Sequence, residues 1–250
     1  MYTLKKSLGQ HFLKDESVSR RIVDLVRERP FSHLLEVGPG GGAITRYLKD
    51  IPGTEFRAVE LDREKIDWLL KQYPDLQGRL IEGSILDIPV PFEGRFTLVG
   101  NFPYNISSQI LFRVLEWRSQ VECMVGMFQK EVAQRVAAAP GKKDYGILSV
   151  LVQAYYSVEY EFEVDEDAFD PPPKVKSAVI RLLDAGNPFG ISDDRRFRIL
   201  VKAAFSQRRK QLRNPLRALF PAHVLADPLF TRRAEQLSVR EYVDLIPLMS

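Results

Sequence analysis

The sequence has few of the residues that carry redox and metal chemistry. It has one cysteine, Cys123, in 250 residues, so no intrachain disulfide can form and a reducing, cytoplasmic setting is expected. Its three histidines, His11, His33 and His223, are scattered. They form no ligand cluster with that thiol, so no metal is expected. No window approaches about 18 continuous apolar residues. The opening MYTLKKSLGQHFL carries two lysines but no apolar run of the kind a signal peptide needs. Neither export nor membrane insertion is expected. No apolar stripe stands out for self-association, so a monomer is expected. Acid is also missing from one long stretch. Between Arg195 and Ala226 there is no Asp or Glu, whereas nine bases occur there: Arg195, Arg196, Arg198, Lys202, Arg208, Arg209, Lys210, Arg213 and Arg217. The net charge is only +3, so the local excess matters more than the total. It creates a positive field suited to phosphates, and hence to a polyanion.

What remains is an ordinary globular balance, 45% apolar and 28% charged, with enough chain for a sizeable core. Val18, Ile22, Leu25 and Val26 recur at helical spacing after Asp15, a candidate cap. Short strands are predicted at the start of HLLEVGPGGGAITRYLKD, at FRAVELD (56–62), GRLIEGSI (78–85), FTLVGN (96–101) and ECMVGMF (122–128). Helical stretches fall between them, including SSQILFRVLEW (107–117), opened by serine caps. YYSVEYEFEV (155–164) alternates as a strand does. The three prolines of DPPPKV (170–175) exclude regular structure there, and SAVIRLL (177–183) is the last strand. Alternation of strands with helices implies a mainly parallel α/β sheet covered on both faces. DAGNPFG (184–190) has linker composition. Beyond it the pattern is helical only, with Phe197, Leu200, Val201, Ala204 and Phe205 on one face. Two domains are therefore expected: a larger α/β domain over 1–186 and a small all-helical one over 187–250.

Open α/β sheets bind ligands beyond the carboxyl ends of their strands. The first strand of the sheet runs into Gly38-Pro39-Gly40-Gly41-Gly42, where glycines permit a sharp turn and the close approach of a ligand. Glu60 closes the next strand, twenty positions after Gly40, and its carboxylate can accept hydrogen bonds from both hydroxyls of a ribose. This arrangement serves NAD and S-adenosylmethionine alike, since both contain adenosine. The loop even fits G-x-G-x-x-A. A dehydrogenase is disfavoured because nothing downstream offers a hydride-transfer site.

Asn101-Phe102-Pro103-Tyr104 ends the fourth strand on the same rim as Gly38 and Glu60. The exocyclic amine of adenine is a poor nucleophile, its lone pair being delocalised into the ring. An enzyme that methylates it must hold the amine against the methyl donor. The Asn101 side-chain oxygen can accept one N–H, and the Phe102 or Pro103 carbonyl the other. Pro103 fixes the turn and Tyr104 can stack on the base. A paired base cannot reach such a pocket, so the target must be flipped out or already unpaired. Positioning and electrostatics then supply the catalysis without a strong general base.

These residues, together with SLGQHFL (7–13), EVGPGGGAIT (36–45), VELD (59–62), QKEVAQR (129–135), YGILSVLVQ (145–153), FDPPPKVKSAV (169–179) and FSQRRKQLRN (205–214), make the chain resemble the ribosomal RNA adenine dimethyltransferases over nearly its whole length. The small-subunit branch of that family is the nearer match. The resemblance implies a Rossmann-like sheet that binds S-adenosylmethionine and a helical C-terminal domain. It also implies N6,N6-dimethylation of two adjacent adenosines in the terminal hairpin of small-subunit rRNA. By position, His11 and Leu13 would lie beside the cofactor, with Gly38, Gly40, Glu60 and Asn101. Tyr104 and Phe169 would sandwich the base, and Arg208, Arg209, Lys210 and Arg213 would contact RNA phosphates. Ser84 stands where the family usually has an aspartate for the cofactor adenine; it is expected to keep the position and bind more weakly, with Asp87 a less suitable substitute. Phe102 replaces a more usual leucine and is expected to be harmless. The short N-terminus offers only Lys5 and Lys6 ahead of Gly9. Two alternatives are an Erm-type methyltransferase of large-subunit rRNA and a non-catalytic ribosome-assembly factor of the same fold.

Overall fold

A computed structural model describes residues 11–250. Lys5, Lys6 and the SLGQ of the first motif lie outside the described residues. The chain packs as two compact units. One comprises the residues up to Ala133 together with Glu159–Asp184, and the other Gln134–Val158 with Ala185–Ser250. The grouping differs from the expected division at 186/187 in one respect: 134–158 packs with the C-terminal helices. The reason is the helix Ile147–Gln153 (α6), which buries Val150, Leu151 and Val152 and packs on Asp194–Phe205 (α7). The elements preceding these two helices are numbered in the same chain order below.

The first unit begins with a two-residue strand, Phe12–Leu13 (β1), and the helix Glu16–Arg27 (α1), capped by Asp15, whose side chain accepts the Ser17 and Val18 N–H groups. The main sheet is built from His33–Val37 (β2), Glu55–Glu60 (β3), Leu80–Glu82 (β4), Phe96–Asn101 (β5), Val121–Gln129 (β6), Tyr156–Val164 (β7) and Ser177–Asp184 (β9). Its strand order is β4-β3-β2-β5-β6-β9-β7. Neighbours from β4 to β6 are parallel, and β6 pairs with β9 antiparallel. From β2 the chain winds outward through β3 and β4, then returns to lay β5 on the other side of β2. That reversal opens a crevice at the carboxyl ends of β2 and β5. The core beneath is apolar, with Leu34, Ala58, Val99 and Val125 almost fully buried.

Thr45–Leu48 (α2), Arg63–Gln72 (α3), Ser107–Glu116 (α4) and Lys130–Ala137 (α5) complete the alternation. Three details depart from expectation. The third predicted strand shortens to Leu80–Glu82, because Gly83 turns the chain with φ +155. Ser107 does not cap α4. It lies inside the first turn and donates its hydroxyl to the Tyr104 and Pro103 carbonyls. The start of the triple-proline segment is also ordered: Phe169–Asp170 (β8) pairs antiparallel with β1, Leu13 opposite Phe169 and Phe12 opposite Asp170.

The second unit buries Phe197, Leu200, Val201 and Ala204 of α7, as their spacing implies. The helix packs on the short helix Val239–Leu245, and its Phe205 ring lies 6.4 Å from the Tyr145 ring and 6.2 Å from the Tyr242 ring. Residues 208–213 lie in turns beyond α7 and not on a helix face.

Candidate active site

One cavity of about 470 Å³ occupies the crevice, a size suited to a ligand of a few hundred daltons. Its first wall is the glycine loop. Gly38, Gly40 and Gly42 all have positive φ (67, 54 and 80°), a region other residues enter only at a cost. The turn is fixed by Gly38 N–H donating to the Val59 carbonyl (2.9 Å) and Gly42 N–H to that of Pro39 (2.8 Å). At Gly40 a methyl group would sit 3.3 Å from the Phe12 ring, so β1 closes tightly over the loop.

Glu60 ends β3, 6% exposed. One carboxylate oxygen accepts the Gly40 N–H (3.3 Å), the other the Asp62 N–H (3.0 Å). Each oxygen keeps a lone pair for a further donor. Beside it Leu61 is 58% exposed and lines the cavity, an apolar plate for a planar group. Ser84 lines the next edge, and its Oγ accepts the Leu86 N–H (3.1 Å). Asp87 is exposed and does not line the cavity.

Asn101 ends β5. Its Nδ2 donates to the His11 carbonyl (3.2 Å). Only the NH₂ half of an amide can donate to a carbonyl, so this bond fixes which half faces away from it: the oxygen. Pro103 opens a tight turn, Tyr104–Ile106. The Pro103 carbonyl is occupied there, accepting the Ile106 N–H (3.3 Å) and the Ser107 hydroxyl (3.4 Å). The Tyr104 hydroxyl bonds the Ser177 hydroxyl (2.6 Å), and burial holds this phenol above its ordinary pKa. The His11 ring lies 5.5 Å from the Tyr104 ring and donates from Nδ1 to the Pro171 carbonyl (2.8 Å). The short β1–β8 pairing therefore carries His11 and Leu13 to the cavity edge.

His11, Leu13, Gly38, Gly40, Glu60, Ser84, Asn101, Pro103 and Tyr104 thus share one cavity. Phe169 does not. It is fully buried in the core behind Leu13 and is absent from the lining. Sequence reasoning missed Glu36, Leu61, Lys65 and Trp68, which also line it. Glu36, two residues before the first glycine of the turn, carried the one usable signal. In the second unit, Arg208, Arg209, Lys210 and Arg213 are exposed. Arg208 and Arg209 share a surface depression with Lys142, Lys143 and Arg233, so the loop at 140–146 and the segment after 230 join the basic run. Glu235 is the acid within it, 3.9 Å from Arg208. Among the described residues no group of three or more His, Cys, Asp or Glu side chains could hold a metal ion. No helix among them is long and apolar enough to cross a membrane.

A parallel sheet with its switch point at a glycine turn, an acid on the neighbouring strand and a strand-end Asn-Phe-Pro-Tyr define a methyltransferase fold. A dimethyladenosine transferase from Plasmodium falciparum superposes with a TM-score of 0.79 at 22% identity, over 96% of this chain and 99% of that one. The 23S rRNA methyltransferase ErmE superposes with a TM-score of 0.69 at 26% identity, over 93% and 99%. The model of the ribosomal RNA adenine dimethylase family matches residues 1–249. A protein from Parabacteroides distasonis named ribosomal RNA small subunit methyltransferase A is 48% identical over 247 residues, covering 96% of this chain and 92% of that relative. One of the same name from Porphyromonas gingivalis is 47% identical over 251 residues, covering 98% and 97%. The chain belongs to the ribosomal RNA adenine dimethylase family.

Proposed function

We propose that this protein dimethylates N6 of two adjacent adenosines in the 3′-terminal hairpin of small-subunit rRNA, using S-adenosylmethionine, during small-subunit biogenesis in the cytoplasm. The observation that carries this is the orientation of Asn101, an amide oxygen at a strand end in the same cavity as the glycine turn and Glu60. The cavity's chemistry suits the cofactor. Glu60 has lone pairs for the ribose diol, and Leu61 offers an apolar face for adenine. The group supplies an electrophilic methyl carried on a sulfonium.

The residues of the chain then do the positioning. Glu60 holds the ribose, and Gly38 and Gly40 let the main chain come close. Ser84 receives the adenine, its hydroxyl oxygen already sharing a lone pair with Leu86 N–H. Asn101 Oδ1 accepts one N–H of the target amine. The Phe102 carbonyl is the better acceptor for the second, because Pro103's is engaged in its own turn. Holding both N–H groups turns the nitrogen lone pair toward the methyl and stabilises the charge that develops on nitrogen. Tyr104, braced by Ser177, is the stacking face for a base taken out of its helix. Phe169 supports that face from the core through β8 instead of stacking. Arg208, Arg209, Lys210 and Arg213, joined by Lys142, Lys143 and Arg233, meet phosphates, which fix register without reading sequence. The protein acts as a monomer on a small-subunit precursor.

Labelled S-adenosylmethionine with unmethylated small subunits, and large subunits in parallel, tests the reading. Dimethyladenosine recovered only from small-subunit RNA is the expected result. Label in large-subunit RNA would place the protein with the resistance enzymes. Binding without transfer to either would make it a non-catalytic assembly factor.

A further inference from the structure

Glu36 is a buried carboxylate of the cavity to which the proposed reaction assigns no task. It lies near the end of β2, in register with Ala58 of β3 on one side and Val99 of β5 on the other. The residue is 2% exposed and lines the cavity, and among the described residues its Oε2 is buried without a well-aligned hydrogen bond. The donors that act on this carboxyl are the buried Thr45 hydroxyl and the Thr45 main-chain N–H. A carboxylate this deeply buried is costly to keep charged, and either a proton or a nearby positive charge offsets that cost.

Its place in the sheet indicates which ligand atom comes near. Glu60 is on β3 and Asn101 on β5, and β2 lies between those strands. A cofactor held by its ribose at Glu60 with its methyl at Asn101 would bring its sulfur over the end of β2, the strand between them. That sulfur is a cation before transfer and a neutral sulfide afterwards, whereas the ammonium and carboxylate of the cofactor's amino-acid end keep their charges throughout.

We propose that Glu36 senses this charge: it is protonated in the cofactor-free protein, ionises when the sulfonium form binds, and takes a proton back when the sulfide product remains. The inference rests on the S-adenosylmethionine reading above. Burial first of all raises the Glu36 carboxyl, to about 8; the Thr45 hydroxyl works against that shift and the nearby Glu60 charge adds to it. Among the described residues, the other titratable groups around the cavity are Glu60 from β3, Lys65 from α3, His11 ahead of β1 and Tyr104 after β5. Lys65 sits over the Phe12 ring, 5.2 Å from its centroid. The balance is simple. On binding, the O–H bond of Glu36 breaks and its proton passes to the buffer. On return to the sulfide state the carboxylate takes a proton from solvent. The proton lost by the methylated amine is a separate one. A site built this way favours substrate over product without any change of shape, because only the sulfonium offsets the cost of the buried anion.

Calorimetry of the full chain with S-adenosylmethionine and with S-adenosylhomocysteine, in buffers of different ionisation enthalpy, counts the protons. Close to one proton should leave per sulfonium ligand at pH 7, and almost none with the sulfide. Sulfonium affinity should rise nearly tenfold from pH 6 to pH 7, and sulfide affinity should stay flat. Glu36→Gln should abolish the release and weaken the sulfonium ligand more than the sulfide. Equal release with both ligands overturns the proposal. Release that survives in Glu36→Gln also overturns it and assigns the proton to another group such as His11. Binding of both ligands with no release sinks this inference alone, and failure of both to bind sinks the cofactor reading with it. The comparison of ligands needs no variant, so it stands even if Gln is not tolerated.

Discussion

Gly126→Ala tests how the bed beneath Asn101 is built. β5 and β6 pair with Gly100 opposite Gly126 and Asn101 opposite Met127. The Phe102 ring, 1% exposed, packs over both glycines and lies 4.9 Å from the Phe128 ring. Neither glycine has a positive φ, so what each provides is room, not a special dihedral. A methyl at Gly126 would overlap the edge of the Phe102 ring and sit 2.7 Å from Phe128 Cε2. A methyl at Gly100 would sit 2.6 Å from the Val37 carbonyl, a main-chain atom that cannot swing away. Overpacking of this kind costs about 1–3 kcal/mol. Phe102→Leu alone removes ring volume from a closed site and costs roughly 1–2 kcal/mol. In the double variant the leucine vacates the space the alanine needs. The two costs should therefore fall short of their sum by about 1–2 kcal/mol. Denaturant unfolding of the four proteins measures this cycle, and thermal melts should follow at roughly 2–4 °C per kcal/mol. Gly126→Ala should also slow methylation while leaving cofactor affinity nearly unchanged, because the displaced Phe102 carries Asn101 with it. Costs that add to within about 0.5 kcal/mol would refute the packing argument.

The other predictions concern the site itself. Asn101→Ala should lower the methylation rate by about 10²–10³-fold, the usual effect of losing one aligned polar group at developing charge, while RNA binding measured by filter retention stays within a few-fold. Ser84→Asp should tighten S-adenosylmethionine several-fold by calorimetry, since a charged acceptor forms a stronger bond to the adenine amine than a hydroxyl does. Glu36 binds its proton more tightly folded (about 8) than unfolded (4.5). The unfolded chain gives up that proton first, so this group makes stability fall between those values, by about 1.4 kcal/mol per pH unit. The difference in unfolding free energy between Glu36→Gln and the parent should therefore widen as pH rises from 5 to 8; a constant difference would contradict it. Replacing both Arg208 and Arg209 by alanine should reduce the salt slope of RNA binding by about 2, and an unchanged slope would remove them from the interface.

The parts of this molecule that were legible in the sequence are those whose requirements are local. Gly38 and Gly40 had to be glycine for their φ, Asp15 announced its helix, and Asn-Phe-Pro-Tyr marked a strand end because proline and an amide are poor choices inside a strand. Three features depended on residues far away in the chain. Nothing in HFL or FDPPP predicts that Leu13 pairs with Phe169, yet that pairing places His11 over the site and draws Phe169 into the core. The grouping of 134–158 with the C-terminal helices follows from α6 packing on α7, which no linker composition records. Phe102 is the clearest case. Read alone it is one apolar residue in place of another. In the fold it requires Gly100 of its own strand and Gly126 of the next to stay small together. Such a condition belongs to three positions at once, and a reading that takes residues one at a time has no means of seeing it.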